Sequence, residues 1–154
     1  MPYTTSYVDD GKGVLKTGSG IVTGLEIFSS ALQEGHDEAR ARKLRYGLVD
    51  FTGVVEMKVT PEDVRRIVET NRTLASYTPG AFVAIIAPDS LPYAIARLWH
   101  TFSSDLGWKA NVFHSRPDAI AWLRKQFLSQ DESGAVLDQF PFLQQATGTA
   151  PQSV

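Results

Sequence analysis

Ala81-Phe-Val-Ala-Ile-Ile-Ala87 is an unbroken apolar run, bracketed by Pro79-Gly80 on one side and Pro88 on the other. A run this short has no polar face to present, so it reads as a strand covered on both sides at the centre of a sheet. Upstream, Thr60-Pro-Glu-Asp63 is a helix start: a hydroxyl to cap, a proline at the first helical position, and two acids against the positive helix end. Val64, Ile67, Val68, Leu74 and Ala75 form the apolar stripe of that helix, opposite Arg65, Arg66, Glu69 and Arg72, and Tyr77-Thr-Pro-Gly80 breaks it. Before it lies Tyr46-Gly-Leu-Val-Asp-Phe51, a second mostly apolar strand that ends in an acid.

Downstream the alternation continues. Pro88-Asp-Ser-Leu-Pro92 opens a helix whose inner face carries Ile95, Leu98, Trp99, Phe102 and Leu106, and which ends near Gly107. Lys109-Ala-Asn-Val-Phe113 is a short strand, and Ser115-Arg-Pro-Asp118 caps a last helix with Ile120, Leu123 and Phe127 on its buried face. At the N-terminal end, Thr5-Ser-Tyr-Val-Asp9 and Gly13-Val-Leu-Lys-Thr17 flank Asp10-Gly11-Lys12, a turn of residues that tolerate positive φ. Thr23-Gly-Leu-Glu26 then has capping-box spacing ahead of a helix that buries Ile27, Phe28, Ala31 and Leu32 and stops near Gly35.

The order β-β-α-β-α-β-α-β-α predicts an α/β domain over residues 1–128: a mainly parallel five-stranded sheet with an antiparallel N-terminal strand delivered by a hairpin. From Ser129 the composition shifts to Gln, Ser, Gly, Asp and Thr. Residues 129–154 are expected to be a tail, flexible or docked locally through Leu137, Phe140, Phe142 and Leu143.

Composition narrows the chemistry. The chain has 154 residues, 43% of them hydrophobic and 21% charged, with a formal net charge of -2. That balance lacks the basic footprint that neutralises phosphates, so nucleic acid is not an expected partner. With no cysteine, disulfides and thiolate metal sites are excluded. The start Met-Pro-Tyr-Thr-Thr-Ser shows no basic region followed by an apolar stretch, and no run approaches the ~20 apolar residues of a membrane span. A cytoplasmic location, no membrane span and no cofactor are the expectations.

Individual features each have a structural reading beside the functional one. Gly18-Ser-Gly20 with Gly24 resembles a dinucleotide-binding loop, and Asp50 ends the next strand, but the spacing is one residue too long, so a plain turn is the simpler reading. His36, His100 and His114 lie on different elements at no metal-sharing spacing. The cluster Arg40, Arg42, Lys43 and Arg45 is diluted by Asp37 and Glu38 and reads as a solvated connector; Trp108, beside Gly107, is a candidate partner contact. The stretch Gly53 to Val59 reads as a loop carrying Val54, Val55, Met57 and Val59 without periodicity, at the C-terminal end of a parallel strand, where open α/β sheets place ligands. Either these side chains form an exposed apolar patch or they fold back over the core.

The element order, together with Leu48-Val-Asp-Phe-Thr-Gly53, Phe82-Val-Ala-Ile-Ile-Ala87 and Asn111-Val-Phe-His…Asp118-Ala-Ile-Ala-Trp-Leu123, resembles the SpoIIAA-like branch of the STAS group, shared by anti-sigma-factor antagonists and the tails of sulphate transporters. The resemblance spans roughly residues 5–128 and implies the STAS/SpoIIAA-like fold. In the antagonists a serine shortly after the Asp-hydrophobe-Ser/Thr lead-in is phosphorylated by a partner kinase. Here Asp50-Phe51-Thr52 matches the lead-in, yet residues 53–59 hold no serine, and Glu56 falls near the acceptor position, either as a fixed negative charge or as a solvated glutamate.

The resemblance therefore implies a non-catalytic regulatory or protein-interaction module without the phosphoacceptor, acting as a homodimer. Its partner surface would comprise Asp50, Thr52, Val54, Val55, Glu56, Met57 and Thr60. Two other classes stay open. The fold superclass also resembles lipid-carrying CRAL-TRIO domains, in which case helix faces bearing Phe28, Trp99 and Phe102 would line a pocket for a small apolar ligand or lipid. An enzyme of unknown class is the third.

Overall fold

The computed structural model describes residues 2–88, 90–131 and 133–145. A five-stranded sheet runs in the order β1-β2-β3-β4-β5, with β1 (Tyr3–Val8) antiparallel to β2 (Gly13–Thr23), and β3 (Tyr46–Lys58), β4 (Phe82–Ile86) and β5 (Lys109–Phe113) continuing in parallel. Between them lie α1 (Gly24–His36), the short α2 (Glu38–Ala41), α3 (Pro61–Tyr77) and α4 (Ser90–Phe102); α5 (Arg116–Gln130) and α6 (Pro141–Gln145) come after the sheet. Because each parallel strand is laid beside the last in one direction, right-handed crossovers stack α1, α3 and α4 on one face. The other face is covered by α5 and the C-terminal segment that ends in α6.

Local chemistry explains where the helices begin. Thr23 Oγ1 accepts from the Glu26 amide at 3.2 Å while Glu26 Oε1 accepts from the Thr23 amide at 2.9 Å, the reciprocal box that starts α1. Thr60 and Asp63 make the same exchange at 3.1 and 3.0 Å ahead of α3, and Ser115 accepts from the Asp118 amide at the start of α5. At the hairpin, Asp9 and Asp10 take positive φ, and the Asp9 carboxylate accepts from the Tyr46 hydroxyl at 2.6 Å and from the Phe142 amide at 2.8 Å. The first turn of the chain is thereby tied to both β3 and α6. Gly13 is required beside it: a Cβ there would sit 2.4 Å from the Tyr46 ring.

Two cores result. Under α5, Tyr46, Leu48, Phe82, Ala84 and Ile86 meet Ile120, Leu123 and Phe127. Val136, Leu137, Phe140 and Leu143 are buried in the same cluster, with a 3-10 turn over Ala135–Gln139 leading into α6. The remainder of the tail, from residue 146, lies outside the described residues, as does Asp89 in the expected start of α4. Under α3 and α4, Phe51, Met57, Val59, Val64, Val68 and Ile85 form the second core.

One expectation is corrected. Residues 53–58 are not a loop: β3 continues to Lys58, and β2, expected to stop at Thr17, continues to Thr23 beside it, pairing Ser19–Thr23 with Gly53–Lys58. β3 pairs with β4 only over Tyr46–Asp50, so beyond that point β2 and β3 run on as a narrow ribbon. Register shifts at Thr17/Ser19 and Gly20/Ile21 put β-bulges in the ribbon, and a bulge breaks the period of two that marks a strand. Gly18-Ser-Gly20 thus belongs to β2, neither a turn nor a phosphate-binding loop; Gly20 takes φ +64 at the bulge.

Candidate functional site

Three polar side chains occupy inward-facing positions of otherwise apolar elements. Lys16 is in phase with Val14 on β2, Glu34 follows Ile27 and Ala31 on the inner face of α1, and Asn71 sits in the stripe Val64, Ile67, Val68, Leu74 on α3. All are buried: Lys16 is 7%, Glu34 8% and Asn71 8% exposed. They surround a cavity of about 130 Å³ between the sheet and α1, α3 and α4, whose walls include Val49, Val83 and Ile85 from the strands and Ala31, Ile67 and Ile95 from the helices. The small residues Ala31, Gly47 and Ala96 are among its lining.

At one end Lys16 Nζ donates to Glu34 Oε1 in a buried ion pair and to Ser30 Oγ at 2.7 Å. The pair is electrically closed, since each charge neutralises the other at a largely buried position. Glu34 also borders a polar surface groove with Thr5, Tyr7, Gln33, Asp37 and Arg40, so the ion pair separates that groove from the apolar interior. Tyr3, from β1, covers the same end: its ring stacks on Phe51 at 6.3 Å, and burial, with the Glu34 charge as the smaller cause, holds its phenol well above the ordinary range. At the far end Trp99 Nε1 donates to Asn71 Oδ1 at 3.0 Å, and Trp108 Nε1 donates to Thr78 Oγ1 at 2.9 Å. Trp108, a candidate partner contact by sequence, is thus a wall of the cavity.

The residues expected to form a partner surface are not gathered in one place. Asp50 faces α5, accepting from Thr52 N at 2.8 Å, from the Thr52 hydroxyl, and from Arg116 Nη1 at 2.9 Å. Val54 is half-buried and Met57 and Val59 are buried, so these fold back on the core. Thr60 is occupied in the cap of α3. Val55, 85% exposed, and Glu56 remain outward on the ribbon, with Ile21 opposite Glu56 and Leu25 at the start of α1 also exposed. Of the aromatic residues expected to line a pocket, Trp99 does; Phe28 does not, and Phe102 instead lies under the Arg65 guanidinium.

The remaining candidates are satisfied where they stand. Arg40, Arg42 and Arg45 lie over the rings of Tyr7, Tyr77 and Phe127. The His100 ring is hydrogen-bonded to Ala110 O at 2.8 Å, and His114 stacks on Tyr93. Among the described residues no group of three or more His, Asp or Glu is placed to hold a metal ion, and no helix is long and apolar enough to cross a membrane.

Lys16, Glu34 and Asn71 escaped sequence reading although a signal was present: each is a polar residue at a position whose periodicity assigns it inward. Neither a family model nor a curated protein matches the chain. Among solved structures it is similar to an uncharacterized protein of the DUF3478 family with a SpoIIAA-like fold from Shewanella loihica PV-4, at 15% identity over 79% of this chain and 91% of that one, with a TM-score of 0.50. The hairpin, the five-stranded sheet and its helices therefore make this chain an α/β protein of SpoIIAA-like fold.

Proposed function

We propose that this SpoIIAA-like domain is a non-catalytic binding module that takes a small, mainly apolar ligand into the cavity between the sheet and α1, α3 and α4. The cavity itself carries the reading. Protein interiors are packed to crystal density with few voids larger than a water molecule. A space of about 130 Å³ lined almost wholly by apolar side chains is a departure from that packing, and an apolar occupant would fill it favourably. Binding rather than catalysis fits the polar groups at the wall: Lys16 and Glu34 are committed to each other, and the Tyr3 phenol is held protonated. Native mass spectrometry of the purified protein tests this. A non-covalent adduct that disappears on denaturation supports it, and a bare 16.9 kDa mass that no small apolar compound shifts opposes it.

A second reading, a protein-interaction module that self-associates, is favoured by a different observation. The ribbon of Ser19–Thr23 and Gly53–Lys58 has strand edges with no sheet partner among the described residues, and it exposes Ile21 and Val55. Open edges are templates for further strands. Changing Ile21 and Val55 together to serine should then reduce a dimer to monomer in sedimentation without loss of folding; an unchanged association state sinks this reading.

A further inference from the structure

We infer that the ligand is an uncharged, single-ring-sized molecule carrying one oxygen acceptor, a carbonyl or hydroxyl, which receives a hydrogen bond from the side-chain amide of Asn71. The inference rests on the ligand-binding reading and adds the chemistry that would be recognised. An indole N–H can only donate, so the atom of Asn71 that faces Trp99 Nε1 at 3.0 Å is Oδ1, and the other atom is the NH₂ group with two donors. That NH₂ has no hydrogen-bond partner among the described residues, although Asn71 is more than nine-tenths buried and lines the cavity. Every fully enclosed polar side-chain atom among the described residues does have a partner. The Asn71 donors therefore keep some accessible surface, and from the cavity wall they can reach an acceptor held inside it.

The neighbouring polar groups make no such demand. Lys16 is shared between Glu34 and Ser30, and Thr78 Oγ1 accepts from Trp108 while donating to Leu74 O at 2.9 Å. An anionic ligand is disfavoured because the one cation at the wall is already neutralised by Glu34, and a buried carboxylate without a counter-charge is penalised heavily. A pure hydrocarbon would leave the amide unpaired. Volume sets the size: a cavity of about 150 Å³ lined by apolar side chains accepts benzene, so 130 Å³ holds no more than about one ring, with a small substituent lying toward the pocket's open side.

The test compares two probes of the same shape, acetophenone and α-methylstyrene, which differ in C=O against C=CH₂, by chemical-shift titration of the full chain. The wild-type protein should bind acetophenone about tenfold more tightly, as one neutral hydrogen bond predicts. Asn71→Leu should abolish or reverse the preference. Equal affinity of the two probes for wild type overturns the inference while leaving the ligand-binding reading intact, and that comparison stands even where the variant fails to fold. Tighter binding of benzoate than of acetophenone also overturns it. Absence of any shift at cavity residues with every probe overturns the ligand-binding reading and the inference with it.

Discussion

Replacing Lys16 by methionine should be among the most destabilising single changes outside the large apolar core residues. The side chain keeps its length and its packing against the sheet, so the loss is electrostatic. Glu34, 8% exposed, would be left as a buried charge without its lysine partner. Removing one partner of a buried ion pair typically costs about 3–5 kcal/mol. For a chain of 154 residues, at about 2–4 °C per kcal/mol, the melting temperature should fall by roughly 6–20 °C. The double variant Lys16→Met, Glu34→Leu removes both charges and should recover most of that loss, because two well-packed apolar residues are often as good as the pair they replace. Thermal and urea unfolding of wild type, both single variants and the double variant give the coupling energy directly. A Lys16→Met variant within about 0.5 kcal/mol of wild type would refute the assignment of Lys16 and Glu34 as a closed, buried pair.

The same geometry has other consequences. Ala31→Leu adds three carbons to the cavity wall; at ~0.8 kcal/mol per buried carbon the ceiling is about 2.4 kcal/mol, and imperfect fit should leave a gain of about 1 kcal/mol with loss of probe binding. Destabilisation by more than that amount in a melt would mean the space is already filled. Gly13→Ala should cost about 2 kcal/mol or more in denaturant unfolding, because its Cβ meets the Tyr46 ring at 2.4 Å; a neutral result would show that Tyr46 yields freely. Tyr3 and Tyr46 are both held protonated above their ordinary range, chiefly by burial, so the stability they contribute is complete below pH about 10. It is lost as pH rises further, by up to ~1.4 kcal/mol per pH unit for each group. Tyr3→Phe should remove one group's share of that alkaline slope while leaving stability near pH 7 little changed.

The parts of the fold that could be read from sequence are those decided within a few residues. Thr23 with Glu26, Thr60 with Asp63, and Ser115 with Asp118 form their hydrogen bonds locally, and the run Phe82–Ile86 is apolar on both faces because α5 covers one and α3 with α4 cover the other. The second half of β2 and β3 was hidden for the opposite reason. Each half is a strand only because the other lies beside it, and the two register shifts put extra residues into β3, Val55 among them, which breaks the alternation there. Residues 53–59 therefore resembled a loop, and of the partner surface expected there Met57 is buried, Asp50 is tied to Arg116 and Val55 is exposed. Leu137, Phe140 and Leu143 were legible as apolar residues in a polar stretch, but their burial under α5, beside a hydrogen bond from the Phe142 amide to the distant Asp9, is a tertiary contact that no local pattern announces. At the cavity, composition argues against the residues found there: lysine, glutamate and asparagine are ordinarily solvated, and only their phase within β2, α1 and α3 points inward.

Ligand binding stands or falls on whether the space between Ala31, Val49, Ile67 and Ile95 admits an apolar guest. A crystal of the protein held under xenon pressure measures this without knowledge of the natural ligand. A xenon atom among those four side chains is the expected result. A packed interior there, with no xenon bound and the helices closed onto the sheet, would contradict it.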